Sequence, residues 1–254
     1  MSIMYQLHKS IGKRPCPPGS RVERCPMVVN SNSEDLLVSD VFLLLRYLPS
    51  DIWLAPLLQT AFMGRSFKGI GQDKAKVEFW KKFAAPPTTE TSEGIDEIDI
   101  FIRIRHLLIL IECKYRSLIQ TGSTRRDQIA RYLDAAAFNY WPDSNTKREI
   151  LFILLTDDEV EPEILSRYRS PEIVLACLTP VRPFIDYEQV SEVLARNVGW
   201  TTWGNLLHIL EGQGAKGLPP VESMIAADLI EYLRFKLQET KQTRHSKKGG
   251  DRNP

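Results

Sequence analysis

The sequence predicts an α/β fold, a mixed β-sheet core flanked by helices, with additional helices toward the C-terminus. Three observations carry that expectation. Two apolar, β-branched runs meet at Arg105-His106 within residues 93–117, as the strands of a hairpin would. A further apolar run of strand length, REILFILLT, follows a segment with helical spacing. Beyond Pro183 the apolar residues recur at helical intervals throughout.

Taken in order, residues 1–31 hold KRPCPPGSRVERCP, rich in Pro, Gly and Arg and without apolar periodicity, which predicts an irregular arm. Asn32 and Ser33 are good caps for the helix EDLLVSDVFLLLRYL, whose apolar positions cover nearly its whole circumference, as in a buried helix. A second helix is expected over residues 51–63, ended by three glycines between positions 64 and 71. KAKVEFWKKFA alternates at Val77, Phe79, Lys81 and Phe83 and is taken as a strand, although Val77, Trp80 and Ala84 also suit a helix. AAPPTTETSEG is a loop by composition and leads into the hairpin. After it, RDQIARYLDAAAFNYW places Ile129, Tyr132, Leu133, Ala136 and Ala137 at helical spacing. REILFILLT, EPEILSRYR and EIVLACLT predict a strand, helix, strand unit. The helices DYEQVSEVLARN, WTTWGNLLHILE and VESMIAADLIEYLRFKLQ complete the chain. The expected organisation is an arm at 1–31, a core at 32–182, a helical extension at 183–238 and a basic disordered tail at 239–254.

The chain of 254 residues is 43% hydrophobic and 26% charged, which excludes collagen-like, disordered and membrane classes for the chain as a whole. Its net charge of +1 conceals an asymmetry. Residues 1–26 carry five Lys/Arg against one Glu and residues 236–254 six against two, so each end is +4 and the middle is −7. Basic ends on an acidic body suit polyanion binding, and equally suit solvated charged tails. Cys16, Cys25, Cys113 and Cys177 are too few and too scattered for a disulfide framework. No run has the length of a membrane span and no signal-type apolar segment opens the chain, so no membrane partner and a cytoplasmic location are expected.

Asp99, Glu112 and Lys114 lie inside the two apolar runs of the hairpin, where charges are unexpected unless something uses them. With a two-residue turn at Arg105-His106, Asp99 faces Glu112 and Glu97 faces Lys114, and all four share one side of the sheet. Opposed carboxylates repel unless a cation joins them. Two carboxylates with waters and phosphate oxygens are the usual surroundings of Mg²⁺, and a nearby lysine suits a phosphate on which charge is growing. A strand end reaching solvent explains the same spacing. Face alternation sets Asp96 opposite to Asp99 and leaves Glu97 as a rival acid, while Cys113 points into packing.

The order Ile98-Asp99, twelve intervening residues, then Glu112-Cys113-Lys114 resembles the PD-(D/E)XK nuclease superfamily, whose fold is called restriction-endonuclease-like. Glu34 on an upstream helix is similar to the acidic residue of that family's first core helix, and Gln128 with Tyr132 to its QxxxY element. The resemblance covers roughly residues 32–180, with isoleucine where the family often has proline. It implies a Mg²⁺-dependent nuclease, with Mn²⁺ substituting, in which Asp99, Glu112 and Glu34 hold the metal. Lys114 would then handle the water or the phosphate, and Gln128 would orient the site. DNA is the expected nucleic acid, ahead of RNA, in restriction, antiviral defence or repair. A non-catalytic nucleic-acid-binding or assembly subunit of the same fold is the alternative, and homodimers or larger complexes stay open.

Seven Lys/Arg against two acids between residues 103 and 131 include Arg116, Arg125 and Arg126, candidate phosphate contacts or a solvated helix face. Gly212, Gly214 and Gly217 spell a dinucleotide-type motif, but no strand precedes them and prolines follow. The four histidines have no ligand spacing.

Overall fold

The computed structural model describes residues 34–67, 70–71, 73–83, 95–115, 117, 127–140, 148–178, 188–213 and 217–249. The arm, the caps Asn32 and Ser33, and Arg116, Arg125 and Arg126 lie outside the described residues.

Two helices, α1 (Glu34–Leu45) and α2 (Ser50–Ala61), precede the strands β1 (Lys76–Phe83), β2 (Asp96–Ile104) and β3 (Leu107–Cys113). Then come α3 (Gln128–Tyr140), β4 (Glu149–Thr156), α4 (Glu163–Arg167), α5 (Pro171–Leu178) and α6 (Glu188–Arg196). Strand β5 (Val198–Thr202) and helices α7 (Trp203–Gln213) and α8 (Pro220–Gly249) end the chain. The five strands form one sheet in sequence order, with β1–β2 and β2–β3 antiparallel and β3–β4 and β4–β5 parallel. The α/β class with a mixed sheet between helices is therefore as expected.

Strands β3 and β4 lie inside the sheet and are apolar on both sides, as strands covered on both faces must be. One face packs on α1, α2, α7 and α8 through Phe42, Trp53, Trp203 and Leu229. The other packs on α3, α5 and α6 through Tyr132, Val174 and Leu194. Among the described residues no helix is long and apolar enough to cross a membrane.

Two segments differ from expectation. Through Leu178 the run EIVLACLT forms α5 and not a strand: Pro171 opens the helix with a pre-set φ, and Val174 and Leu178, four apart, bury a single side. The β-branched content of that run pointed to a strand, and tertiary packing overrode it. The third parallel strand is instead β5, VGWTT, from a stretch that reads as part of a helix. Gly199 there is required by close approach, since a Cβ would stand 2.9 Å from the Ala61 carbonyl oxygen and from the Phe62 ring. The boundary expected at residue 182 accordingly does not divide core from extension, because β5 and Trp203 belong to the sheet and its core. Helix α8 also continues to Gly249, past residue 239, where a disordered tail was expected.

The β1–β2 ladder contains an irregularity that positions the site. Its register is the same on both sides of Trp80, yet Trp80 and Asp99 are not paired, and Trp80 has φ +49°. A left-handed residue within a strand turns the following side chains to the other face. Phe79 and Trp80, adjacent in sequence, therefore pack in the same cluster, while Ile98 and Ile100 pack in opposite ones. Side-chain alternation in β2 is broken at Asp99.

Candidate active site

The hairpin has the expected two-residue turn, with Arg105 at φ +49°. Its ladder runs from Ile104–Leu107 to Ile100–Ile111, so the next position of the same register sets Asp99 against Glu112. There the Asp99 side chain takes over from the backbone: Oδ2 accepts the Cys113 N–H at 2.9 Å. Lys114 stays tied to the sheet through its N–H, which donates to the Leu155 carbonyl at 2.8 Å.

Asp99, Glu112 and Lys114 come together as the sequence suggested. Lys114 Nζ lies 2.6 Å from Glu112 Oε1 and 3.6 Å from Glu34 Oε1. Glu112 is almost fully buried and Asp99 is half-buried. Crowding by protein and then the Glu112 charge push the Asp99 carboxyl well above the usual carboxylate range. Burial also raises Glu112, against the pull of the Lys114 ammonium. Burial acts to lower Lys114, but Glu112 and Glu34 outweigh it and keep the ammonium charged.

Gln128 opens α3, whose N-terminus is capped by Asp127 through the Ala130 N–H at 3.0 Å. The Ile129, Tyr132, Leu133 and Ala136 face of that helix is buried against the sheet, which brings Gln128 over the end of β3. Its Nε2 donates to Glu112 Oε1 at 2.8 Å and to the Tyr132 hydroxyl at 2.6 Å. The Tyr132 hydroxyl in turn donates to the Glu97 carbonyl at 3.0 Å. Burial and the Glu112 charge raise the Tyr132 phenol far above its ordinary range, so it remains a donor.

The acids neighbouring Asp99 have other partners. Glu97 was expected on the Asp99 side and is instead 3.9 Å from Lys82 of β1, because the twist at Trp80 and Asp99 cancels simple alternation. Asp96 pairs with Arg131 of α3 at 2.7 Å. Cys113 is fully buried in the core under α1, the packing role its position implied.

Glu34 reaches the site, but its carboxylate is already engaged. Oε2 accepts the Tyr115 N–H at 2.8 Å and the Ser117 hydroxyl, while Oε1 faces Lys114. Among the described residues no group of three His, Cys, Asp or Glu side chains has metal-holding geometry. Two carboxylates remain, and Glu112 Oε2 and Gln128 Oε1 are buried without a hydrogen-bond partner among the described residues. Unpartnered oxygens beside a partly covered carboxylate are a donor set of the chemistry that a hard divalent cation takes. Three carboxylates against one ammonium also leave the cluster at −2 when all are ionised, the charge such a cation balances.

Some contacts at the site had no counterpart in sequence reasoning. The indole N–H of Trp203 donates to the Lys114 carbonyl at 3.2 Å, and the Tyr115 hydroxyl donates to the Lys236 carbonyl at 2.9 Å. Neither residue carries a motif signal: only tertiary structure joins Trp203 to Lys114, and Tyr115, the next residue in the chain, to α8.

The chain matches no protein-family model, no curated protein and no solved structure.

Proposed function

We propose that the chain is a Mg²⁺-dependent nuclease of restriction-endonuclease-like fold that hydrolyses phosphodiester bonds, with DNA as the preferred substrate. The observation that carries this proposal is the position of Asp99 beside Glu112 at the end of the β2–β3 ladder, where Asp99 Oδ2 accepts the Cys113 N–H, with the Lys114 ammonium 2.6 Å from Glu112. Asp99 and Glu112 would hold the metal, which keeps much of its water when only one or two carboxylates bind it. Bound there, Mg²⁺ supplies Lewis-acid polarisation of a phosphate oxygen and a more acidic water. Lys114 orients the attacking water or offsets charge growing on the phosphate. Gln128 fixes the Glu112 carboxylate, and Tyr132 fixes Gln128. Glu34 holds the Tyr115 N–H and faces Lys114, so its contribution is to the turn after β3 rather than to the metal directly. The preference for DNA, and a role in restriction, antiviral defence or repair, follow from the family resemblance alone.

The test is incubation of the purified chain with plasmid DNA and with RNA, in Mg²⁺, in Mn²⁺ and in EDTA. Metal-dependent cleavage that disappears in Lys114→Ala is expected. Equal degradation by wild type and Lys114→Ala would remove the role given to the lysine. The engagement of Glu34 and the Lys114–Glu112 pair also favour a second reading, a non-catalytic nucleic-acid-binding or assembly subunit in which Lys114 replaces the metal. Calorimetry separates the two: nucleic-acid binding with no uptake of Mg²⁺ or Mn²⁺ selects the second.

A further inference from the structure

We infer that Trp203 and Tyr115 are positioning residues for Lys114, and that α7 and α8 thereby form part of the site. The catalytic consequence rests on the nuclease proposal; the brace itself does not.

Lys114 and Tyr115 follow the last residue of β3, where a chain would ordinarily be free to turn away. Here their backbone groups are taken up by different elements. The Lys114 N–H donates to Leu155 at the end of β4, and its carbonyl accepts the Trp203 indole N–H. The Tyr115 N–H donates to Glu34 at the start of α1. The Tyr115 side chain, 2% exposed, runs into the core and donates its hydroxyl to the Lys236 carbonyl of α8. With the main chain held on both sides of its Cα, Lys114 presents Nζ to Glu112 from a fixed base.

The local fold explains how Trp203 gets there. Thr202 ends β5 and caps α7, its Oγ1 accepting the Asn205 N–H at 2.9 Å, so the helix starts without a loop. Because β3, β4 and β5 are parallel, this start lies at the same end of the sheet as Lys114. Trp203 is fully buried and meets Phe42 edge-on at 6.3 Å, which leaves its ring a single orientation.

Trp203→Phe removes the indole N–H and keeps an aromatic ring, while Tyr115→Phe removes only the hydroxyl. Trp53→Phe is the matched control. Trp53 is equally buried in the same cluster and edge-on to the same Phe42 at 6.1 Å, yet its indole nitrogen has no hydrogen-bond partner among the described residues. Two readouts are taken: hydrogen exchange at the Lys114 and Tyr115 amides in metal-free protein, and kcat and KM for DNA cleavage at saturating metal. Trp203→Phe and Tyr115→Phe should speed exchange at those amides about tenfold. They should lower kcat about tenfold and leave KM within about twofold. Trp53→Phe should change neither readout. Unchanged exchange in both site variants, or an equal effect in Trp53→Phe, overturns the inference. If Trp203→Phe does not fold, Tyr115→Phe decides. A wild type that cleaves nothing defeats the nuclease proposal and leaves exchange to decide the brace, selective acceleration supporting it and its absence overturning it.

Discussion

Asp99→Asn should stabilise the metal-free protein while abolishing metal-dependent cleavage. In the native site Asp99 Oδ2 accepts the Cys113 N–H, and the carboxyl is raised well above its ordinary range by crowding and by Glu112. Asparagine keeps the acceptor for Cys113 and adds an Nδ2 donor facing Glu112, whose Oε2 is buried and unpartnered among the described residues. Satisfying a buried acceptor of that kind contributes about 1–2 kcal/mol. For a chain of this size that corresponds to a rise in Tm of roughly 3–6 °C. The pH dependence has a definite sign. A carboxyl whose folded pKa is raised favours the folded state fully only below its unfolded pKa, near 3.8, and that contribution is lost as pH rises toward the folded value. The advantage of Asn should therefore be small near pH 4 and grow toward neutrality. Scanning calorimetry in EDTA across that range measures it, and a parallel series in Mg²⁺ should raise the Tm of wild type but not of Asp99→Asn. A variant less stable than wild type at pH 7 in EDTA would mean that Asp99 is ionised and held by Lys114, and the account of a frustrated acid pair would be wrong.

Further outcomes follow from other parts of the molecule. Lys114→Ala leaves the almost fully buried Glu112 without its counter-ion, so beyond the loss of cleavage the metal-free protein should lose about 3–5 kcal/mol in chemical denaturation. Mg²⁺ should recover part of that loss. Gly199→Ala should cost about 1–3 kcal/mol, because the new methyl meets the Ala61 carbonyl and the Phe62 ring at 2.9 Å; an unaltered melting curve would show that β5 does not pack on α2 as described. Joint replacement of Lys241, Arg244, Lys247 and Lys248 by Gln should flatten the salt dependence of DNA affinity, lowering the slope of log K against log salt by about 2–4, without changing kcat on saturating DNA. An unchanged slope would return the basic C-terminus to the status of a solvated tail.

Much of the site was legible because it contradicts its surroundings. Charges inside IDIFIRI and LLILIECK are visible in the sequence, and a two-residue turn fixes the register that sets Asp99 against Glu112. For Gln128 and Tyr132 the four-residue spacing on a strongly periodic helix fixed only a shared face, and their place at the site came from the resemblance to the QxxxY element. The parity argument failed at Glu97 because it assumed an uninterrupted strand, and tryptophan does not announce a left-handed conformation as glycine or asparagine does. VGWTT and EIVLACLT exchanged roles since a five-residue strand abutting a helix has almost no pattern of its own, while β-branched residues in a short helix imitate a strand.

The remaining illegibility has a physical cause that bears on how the site forms. Glu34 meets Tyr115 across 81 residues, Trp203 meets Lys114 across 89, and Tyr115 meets Lys236 across 121. None of these contacts has a local sequence signature, because each is a single hydrogen bond between elements brought together by the two cores. They surround the least comfortable part of the molecule, two carboxyls in a crowded setting with buried oxygens left unpartnered. Such a cluster cannot be held by the hairpin alone, since an isolated pair of strands is marginal in water. Its geometry therefore depends on the sheet being covered on both faces, with α1 and α7 on one side of Lys114 and α3 on the other. Removal of residues 203–249 should consequently disorder the turn after β3 even if a β1–β4 sheet persists, and the acid pair would relax by protonation or by opening to water rather than remain poised beside Lys114.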